Sequence, residues 1–307
     1  FTTLDVNIQD ITHHALLGAL EDFEAEHGTA IVMETQTGAI RAVANLGRTQ
    51  EGKYYEKLNY AIGESHEPGS TFKLMALVAA LEDKVVDTTT VIDTKNGILT
   101  FYGKYNVRDS KKGGYGKISL AEAFERSSNT GMVQAIYENY KNHPERFVNR
   151  LINMGLNEPL GIPVLGEGIP KIPHPKDSDW DGLDLPWMAY GYGVSMTPLQ
   201  ILTFYNAIAN DGVMVKPRFV DQIRNLGDLN AQKLPIEIVN ASICSEETLS
   251  KVQVLLKGVV EKPWGTARNI FDPEFAISGK TGTCQLDYTK DEVQYVSSFV
   301  GYFPSDK

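Results

Sequence analysis

Apolar side chains at Ile8, Ile11, Ala15, Ala19, Leu20 and Phe23 recur at the three-and-four spacing of one helix face. This predicts an amphipathic helix over residues 5–27, which Gly28 can end. Two strand-like runs follow, Thr29 to Glu34 and Ala39 to Asn45, separated by Thr35-Gln36-Thr37-Gly38. They predict a β-hairpin in which Gly38 supplies the positive φ of the turn. The middle of the chain reads as mostly helical. Ser119-Leu-Ala-Glu122 has the pattern of a capping box, and Thr197-Pro198-Leu199-Gln200 is a second, with Pro at the first helical position and Gly212 past the helix end. Between them, residues 156–186 are rich in Gly, Pro and Asp and predict a long loop. Apolar positions Leu249, Val252, Leu255, Leu256 and Val259 predict a helix over 245–262. Phe275 to Gln285 and Val293 to Phe303 then predict an antiparallel strand pair joined by the polar stretch Leu286 to Glu292.

This order of helix, hairpin, helices and hairpin favours an α+β fold, an antiparallel sheet with helices segregated around it. The sheet part covers about 1–60 and 215–307, and the helical part about 61–214. Composition agrees with a packed domain: apolar residues make up 42% and charged residues 22% of 307 positions, without low-complexity runs. The net charge of −10 comes without a Lys/Arg cluster, which argues against a nucleic-acid partner. Phe1-Thr2-Thr3 is no signal peptide, and no apolar run approaches the roughly 20 residues needed to span a bilayer. Cys244 and Cys284 lack Cys-x-x-Cys spacing and read as free, buried thiols. The six histidines form no metal-binding pattern, so neither a metal nor another cofactor is expected.

Candidate chemistry begins at Glu67-Pro68-Gly69-Ser70-Thr71-Phe72-Lys73, followed by the apolar run Leu74 to Leu81. Pro-Gly marks a turn and the apolar run a helix, so Ser70 is expected at the helix start with Lys73 one turn on, on the same face. A serine hydroxyl needs a base to accept its proton, and a lysine can serve once burial and nearby positive charge favour its neutral form. The helix's positive end also favours charge developing on an attacked carbonyl. Alone, Ser-x-x-Lys arises by chance roughly once in a chain this long, and equally suits an ordinary helix start with a solvated lysine. Two further elements follow in order. Ser127-Ser128-Asn129 interrupts a helical stretch, although a plain helix-to-helix turn would look the same. Lys280-Thr281-Gly282-Thr283 lies on a predicted strand, where a mid-strand Gly marks a bulge or a close approach, and a substrate lying along the strand supplies a reason. Together the three form the Ser-x-x-Lys, Ser-x-Asn, Lys-Thr-Gly set shared by penicillin-binding proteins and class A β-lactamases.

Glu67-Pro-Gly-Ser70-Thr-Phe-Lys73, Arg126-Ser-Ser-Asn129-Thr130, Ala189-Tyr-Gly-Tyr-Gly193 with Thr197-Pro-Leu-Gln200, and Gly279-Lys-Thr-Gly-Thr283 resemble the transpeptidase domain of class B penicillin-binding proteins. The resemblance runs from about Thr3 to the last residue, and the tyrosine-glycine stretch is more similar to the septal than to the elongation branch. It implies the penicillin-binding and β-lactamase-like fold with an all-helical subdomain. Ser70 is then the nucleophile that attacks the D-Ala-D-Ala bond of a peptidoglycan stem peptide. Lys73 takes its proton, and Ser127, backed by Lys280, relays a proton to the leaving amine. Asn129 holds the substrate amide and Lys73. The backbone N–H groups of Ser70 and Thr283 form the oxyanion hole, the Thr281 and Thr283 hydroxyls around Gly282 bind the terminal carboxylate, and Tyr192 either walls the pocket or is a core aromatic. Implied partners are stem peptides with an amine acceptor, β-lactam antibiotics, and divisome and glycosyltransferase proteins. The implied location is the extracytoplasmic face of the bacterial cytoplasmic membrane.

Relative to that family, Cys284 stands where a small residue such as Ala is usual, and the amino-terminal anchor, pedestal domain, last strand and terminal helix are not in this sequence. A β-lactamase is the nearest rival and needs a base for water. Glu138 with Asn142 and Glu145 with Asn149 have the required spacing, but fall on predicted helix too soon after Asn129. A β-lactam sensor domain without turnover would carry the same three motifs.

Overall fold

The computed structural model describes residues 1–227, 229–286 and 294–306. These fall into two compact units, one of residues 1–66, 158–170 and 196–241, the other of 67–157, 171–195 and 242–307. The grouping does not follow the sheet-versus-helix division expected above: the two long hairpins at the chain's ends belong to different units.

In the first unit, the helix Val6–Asp22 starts at Asp5, whose carboxylate accepts from the N–H groups of Asn7 and Ile8. It ends earlier than its apolar spacing predicts. Glu24 takes a left-handed φ of 49°, and the N–H groups of Glu24 and Ala25 return to the carbonyls of Glu21 and Leu20, a Schellman closure made without glycine. Gly28 instead lies inside the strand His27–Met33. That strand pairs antiparallel with Ile40–Arg48, as the hairpin pattern predicts, and Gly38 carries the left-handed turn. The helix Pro198–Ala209 opens on a complete Thr197/Gln200 capping box and closes before Gly212. Ile40, Ala61, Ile62, Ile162 and Leu199 form a buried cluster under the hairpin.

The second unit is built around the helix Lys73–Glu82, whose residues 73–81 are all buried. The helix Glu246–Glu261 buries Leu249, Val252, Leu255, Leu256 and Val259, the stripe read from the sequence. The mostly helical middle expected above needs correction: Val91–Asp93 pairs with Lys117–Ser119, and Ile98–Phe101 with Tyr105–Arg108. These strands are three or four residues long and offer too few alternating positions for periodicity to detect. Ser119 caps the helix Leu120–Glu125 through the Glu122 N–H, but the expected reciprocal bond is replaced, because the Glu122 carboxylate pairs with Arg126 at 2.7 Å. Residues between Asn153 and Asp184 carry neither helix nor paired strand, apart from a bridge at Lys171, before the short helix Asp184–Met188. The terminal strands Ser278–Leu286 and Gln294–Tyr302 pair antiparallel without a register break. Their expected connection lies, but for Leu286, outside the described residues. All strand ladders among the described residues are antiparallel, giving an α+β fold. No helix among them is long and apolar enough to cross a membrane.

Candidate active site

Ser70 lies in a 3-10 turn, Gly69–Thr71, that runs into the helix Lys73–Glu82. Side chains three apart eclipse in a 3-10 turn, so Ser70 and Lys73 leave the backbone on one side, as their spacing predicts. Thr71 Oγ1 donates to the Pro68 carbonyl at 2.8 Å, and the Gly69 N–H donates to the Gly191 carbonyl at 3.1 Å. Gly69 has a φ of 54°, and a Cβ there would stand 2.7 Å from the Thr283 carbonyl oxygen. Glycine is therefore needed before Ser70 both for conformation and for the strand's approach. The same turn corrects the reason for Gly282. No bulge interrupts its ladder, and a Cβ at Gly282 would meet Ser298 Oγ and stand 2.8 Å from Thr71 Cγ2. The nucleophile turn itself, rather than substrate alone, demands the mid-strand glycine.

Ser127 occupies the turn between the helices Leu120–Glu125 and Asn129–Tyr140, in a left-handed conformation with φ of 56°. For a non-glycine residue this costs roughly 1–2 kcal/mol. Main-chain bonds close its upstream side, from the Ser127 N–H to the Phe124 carbonyl at 3.0 Å and from the Ser128 N–H to the Ala123 carbonyl at 2.8 Å, and side-chain bonds hold its downstream side. Ser128 caps the following helix by accepting from the Gly131 N–H at 3.0 Å, and its hydroxyl is 3.1 Å from both oxygens of Asp109. Asp109 also accepts from Thr130 N at 2.9 Å and Thr130 Oγ1 at 2.7 Å, and Asn129 Nδ2 donates to the Arg108 carbonyl at 2.8 Å.

Lys73 Nζ donates to the Ser127 carbonyl at 2.7 Å, Ser127 Oγ at 3.1 Å and Asn129 Oδ1 at 2.6 Å. Lys280 Nζ reaches the same Ser127 Oγ at 2.9 Å and the Thr281 carbonyl at 3.0 Å. Both lysines are fully buried at 0% exposure. Burial, reinforced by the charge of Lys280, holds the Lys73 ammonium well below the ordinary lysine range, while Asp109 acts in the opposite direction. Burial alone brings Lys280 down to about 7. One serine oxygen thus joins two amines whose charged forms burial disfavours. The three hydrogen bonds of Lys73 all point to the Ser127 turn rather than to Ser70.

Thr281 and Thr283 follow Lys280 along the strand, with Thr281 Oγ1 2.7 Å from Thr266 Oγ1 and Thr283 exposed. Gly69's approach to the Thr283 carbonyl brings the backbone of Ser70 close to that strand. Tyr192 lies further along: its hydroxyl accepts from the Gln285 N–H at 3.4 Å, and its ring is tilted on Tyr190 at 4.8 Å. Burial, with Cys284 nearby, pushes the Tyr192 phenol up to about 12. Cys284 is buried with Sγ 3.8 Å from Glu67 Oε2, and its thiol is likewise raised to about 12, mainly by burial. Both cysteines are free and buried, as their spacing predicts.

The carboxylates spaced like a β-lactamase base are engaged elsewhere. Glu138 pairs with Lys141, Glu145 with His143 and Asn149 with His174. Near the nucleophile turn, Glu67 accepts from Gly193 N at 2.8 Å. Sequence reasoning missed Asp109 and Thr266. Asp109 lies just past a short strand and Thr266 in a Gly-Thr pair after a helix, and neither position carries a motif.

The penicillin binding protein transpeptidase domain family matches residues 28–307. Stage V sporulation protein D of Bacillus subtilis is 28% identical over 99% of this chain and 47% of its own length. Penicillin-binding protein PbpB of Mycobacterium tuberculosis is 30% identical over 92% of this chain and 42% of its own length. The chain therefore spans about half the length of the curated relatives it matches. Among solved structures, penicillin-binding protein 3 of Mycobacterium tuberculosis complexed with aztreonam superposes with a TM-score of 0.85 at 27% identity, covering 99% of this chain and 69% of that one.

Proposed function

Because this chain belongs to the penicillin-binding protein transpeptidase domain family, we propose that it is a serine D,D-transpeptidase that cross-links peptidoglycan stem peptides and is acylated by β-lactams. The observation that carries the reading is the sharing of Ser127 Oγ between two fully buried lysines, Lys73 at 3.1 Å and Lys280 at 2.9 Å, beside the Ser70 turn. Ser70 Oγ attacks the carbonyl of the penultimate D-alanine and gives its proton to neutral Lys73, whose neutrality is favoured by burial. The oxyanion accepts hydrogen bonds from the N–H groups of Ser70 and Thr283, each worth roughly 3 kcal/mol in comparable acyl enzymes. Collapse breaks the C–N bond; the departing amine takes a proton through Ser127, which Lys280 and Lys73 hold in place, and leaves as D-alanine. An acceptor amine then attacks the Ser70 ester and gives up a proton to Lys73; the new amide forms as the acyl C–O bond breaks, and Ser70 Oγ takes that proton back.

Asn129 orients Lys73 and the substrate amide. The Thr281 and Thr283 hydroxyls around Gly282 bind the terminal carboxylate, and Tyr192 lines the far end of the strand. The tyrosine-glycine stretch at 189–193 supports the septal branch, with divisome and glycosyltransferase proteins as partners and an extracytoplasmic, membrane-anchored setting.

The test is intact-mass measurement after one dose of benzylpenicillin. The adduct is expected to form and to persist for many minutes, because loss of a general base for water costs about 100- to 10,000-fold in rate. Ser70→Ala is expected to remove labelling while keeping the fold. Rapid multiple turnover would favour a β-lactamase, and labelling that survives Ser70→Ala would remove Ser70 from the chemistry.

A further inference from the structure

The loop that follows the helix Glu246–Glu261 is tied down at several points. Trp264 Nε1 donates to Glu125 Oε2 at 2.6 Å, Thr266 N donates to the Glu125 carbonyl at 3.3 Å, and Ala267 N to the Val259 carbonyl at 3.0 Å. Glu125 is itself buried at 5% exposure and precedes Ser127 by two positions in the chain. The segment that delivers Ser127 therefore also clamps this loop. What the loop delivers is the Thr266 hydroxyl, 2.7 Å from that of Thr281.

We propose that Thr266 is a positioning residue of the carboxylate subsite, fixing the Thr281 hydroxyl so that the pair directs one O–H at the substrate's terminal carboxylate. The proposal rests on the reading that Thr281 binds that carboxylate. Each threonine hydroxyl has a single proton and accepting lone pairs. When Thr266 donates to Thr281, the Thr281 proton is released for the carboxylate; when the direction reverses, the Thr266 proton is released instead. In both arrangements the donor facing the anion is polarised by the hydroxyl behind it, and chained hydrogen bonds strengthen one another. Without Thr266, the Thr281 proton loses the partner that holds its direction. Lys280 donates to the Thr281 carbonyl and to Ser127, so the carboxylate subsite and the proton relay meet at Thr281.

Acylation by benzylpenicillin, which bears the carboxylate, and by its methyl ester, which does not, separates this role from a structural one. Thr266→Val is expected to slow acylation by benzylpenicillin about tenfold, the effect of one neutral hydrogen bond, and to leave the methyl ester rate at its wild-type value. Thr266→Ser is expected to restore the benzylpenicillin rate. Equal slowing of both probes, or no slowing of either, overturns the role assigned to Thr266. Thr281→Val distinguishes the underlying reading. If it slows benzylpenicillin selectively while Thr266→Val does not, only the present proposal fails. If it affects both probes alike, the carboxylate does not bind at Thr281 and both readings fall. Thermal unfolding of each variant confirms that the fold is kept.

Discussion

The strand Ser278–Leu286 and the turn Ser127-Ser128-Asn129 both present groups to the same lysine-serine cluster, but they are held in different ways. The strand is fixed by a ladder running from Ser278 opposite Tyr302 to Leu286 opposite Gln294. Its placement depends on main-chain bonds that most side-chain changes leave intact. The turn has no ladder. Ser127 takes its left-handed φ of 56° where the preceding helix closes, its N–H and that of Ser128 returning to the carbonyls of Phe124 and Ala123, and side chains hold the rest of the turn: Asp109 on Ser128 and Thr130, Lys73 on Ser127 and Asn129. Strained backbone persists where the surroundings over-determine it. Changes on the strand should therefore remove chemistry without much loss of structure, whereas changes under the turn should do both.

Lys280→Ala tests the strand side and should have the largest effect. It removes a donor to Ser127 Oγ at 2.9 Å, and acylation by benzylpenicillin should slow by about 100- to 10,000-fold, the usual range for a lost proton-transfer group. The exposed Lys233 supplies the contrast, since Lys233→Ala should leave the rate unchanged. Small and equal effects at both positions would reduce the Lys-Thr-Gly run to an ordinary strand.

Asp109→Ala tests the turn side. The Thr130 N–H and the Ser128 and Thr130 hydroxyls lose their acceptor, at a cost of about 1–3 kcal/mol for groups left unsatisfied. Thermal unfolding should show that loss together with a roughly tenfold slower acylation, because about 1.4 kcal/mol of misplacement is a factor of ten. An unchanged melting temperature would mean that the turn holds its shape without Asp109, and the contrast between the two regions would disappear.

The smallest expected effect is a slope of stability with pH. Lys280 ionises at about 7 in the folded protein, against an ordinary lysine value of 10.5 once unfolded. Between these values the unfolded chain binds more protons than the folded one, so stability should rise with pH, by at most about 1.4 kcal/mol per unit from this group. The gain is absent below pH 7 and accrues as pH climbs toward 9. Beyond that, tyrosines raised by burial, such as Tyr192 at about 12, begin to oppose it because they hold their protons in the folded state. Lys280→Met should reduce the slope in thermal melts, the remainder coming from Lys73, whose ammonium burial also disfavours; an unaltered slope would place its origin in groups other than Lys280.

Much of the candidate site could be read from single residues. Apolar spacing located the helices Val6–Asp22 and Glu246–Glu261, strand-like runs on either side of a turn or polar stretch located both long hairpins, and the three short motifs named Ser70, Lys73, Ser127, Asn129 and Lys280 as candidates. The strands between Val91 and Ser119 escaped because they are too short to show a period, and the first helix ended early because Glu24 took the left-handed position expected of Gly28.

Sequence by itself determined which residue types lie on which element, because periods of 3.6 and 2 and the turn preferences of Gly, Pro, Ser and Asn are local properties. Tertiary structure decided which of those residues meet. Lys280 bonds to Ser127 across 153 positions, Lys73 turns toward Asn129 across 56, and Asp109 holds Ser128 across 19. The reason Gly282 must be glycine was also settled there, by Thr71 and Ser298 pressing on it. Such contacts arise from packing that excludes water and leaves each buried donor or acceptor to find whatever partner the fold brings near. No local pattern in the chain records that outcome.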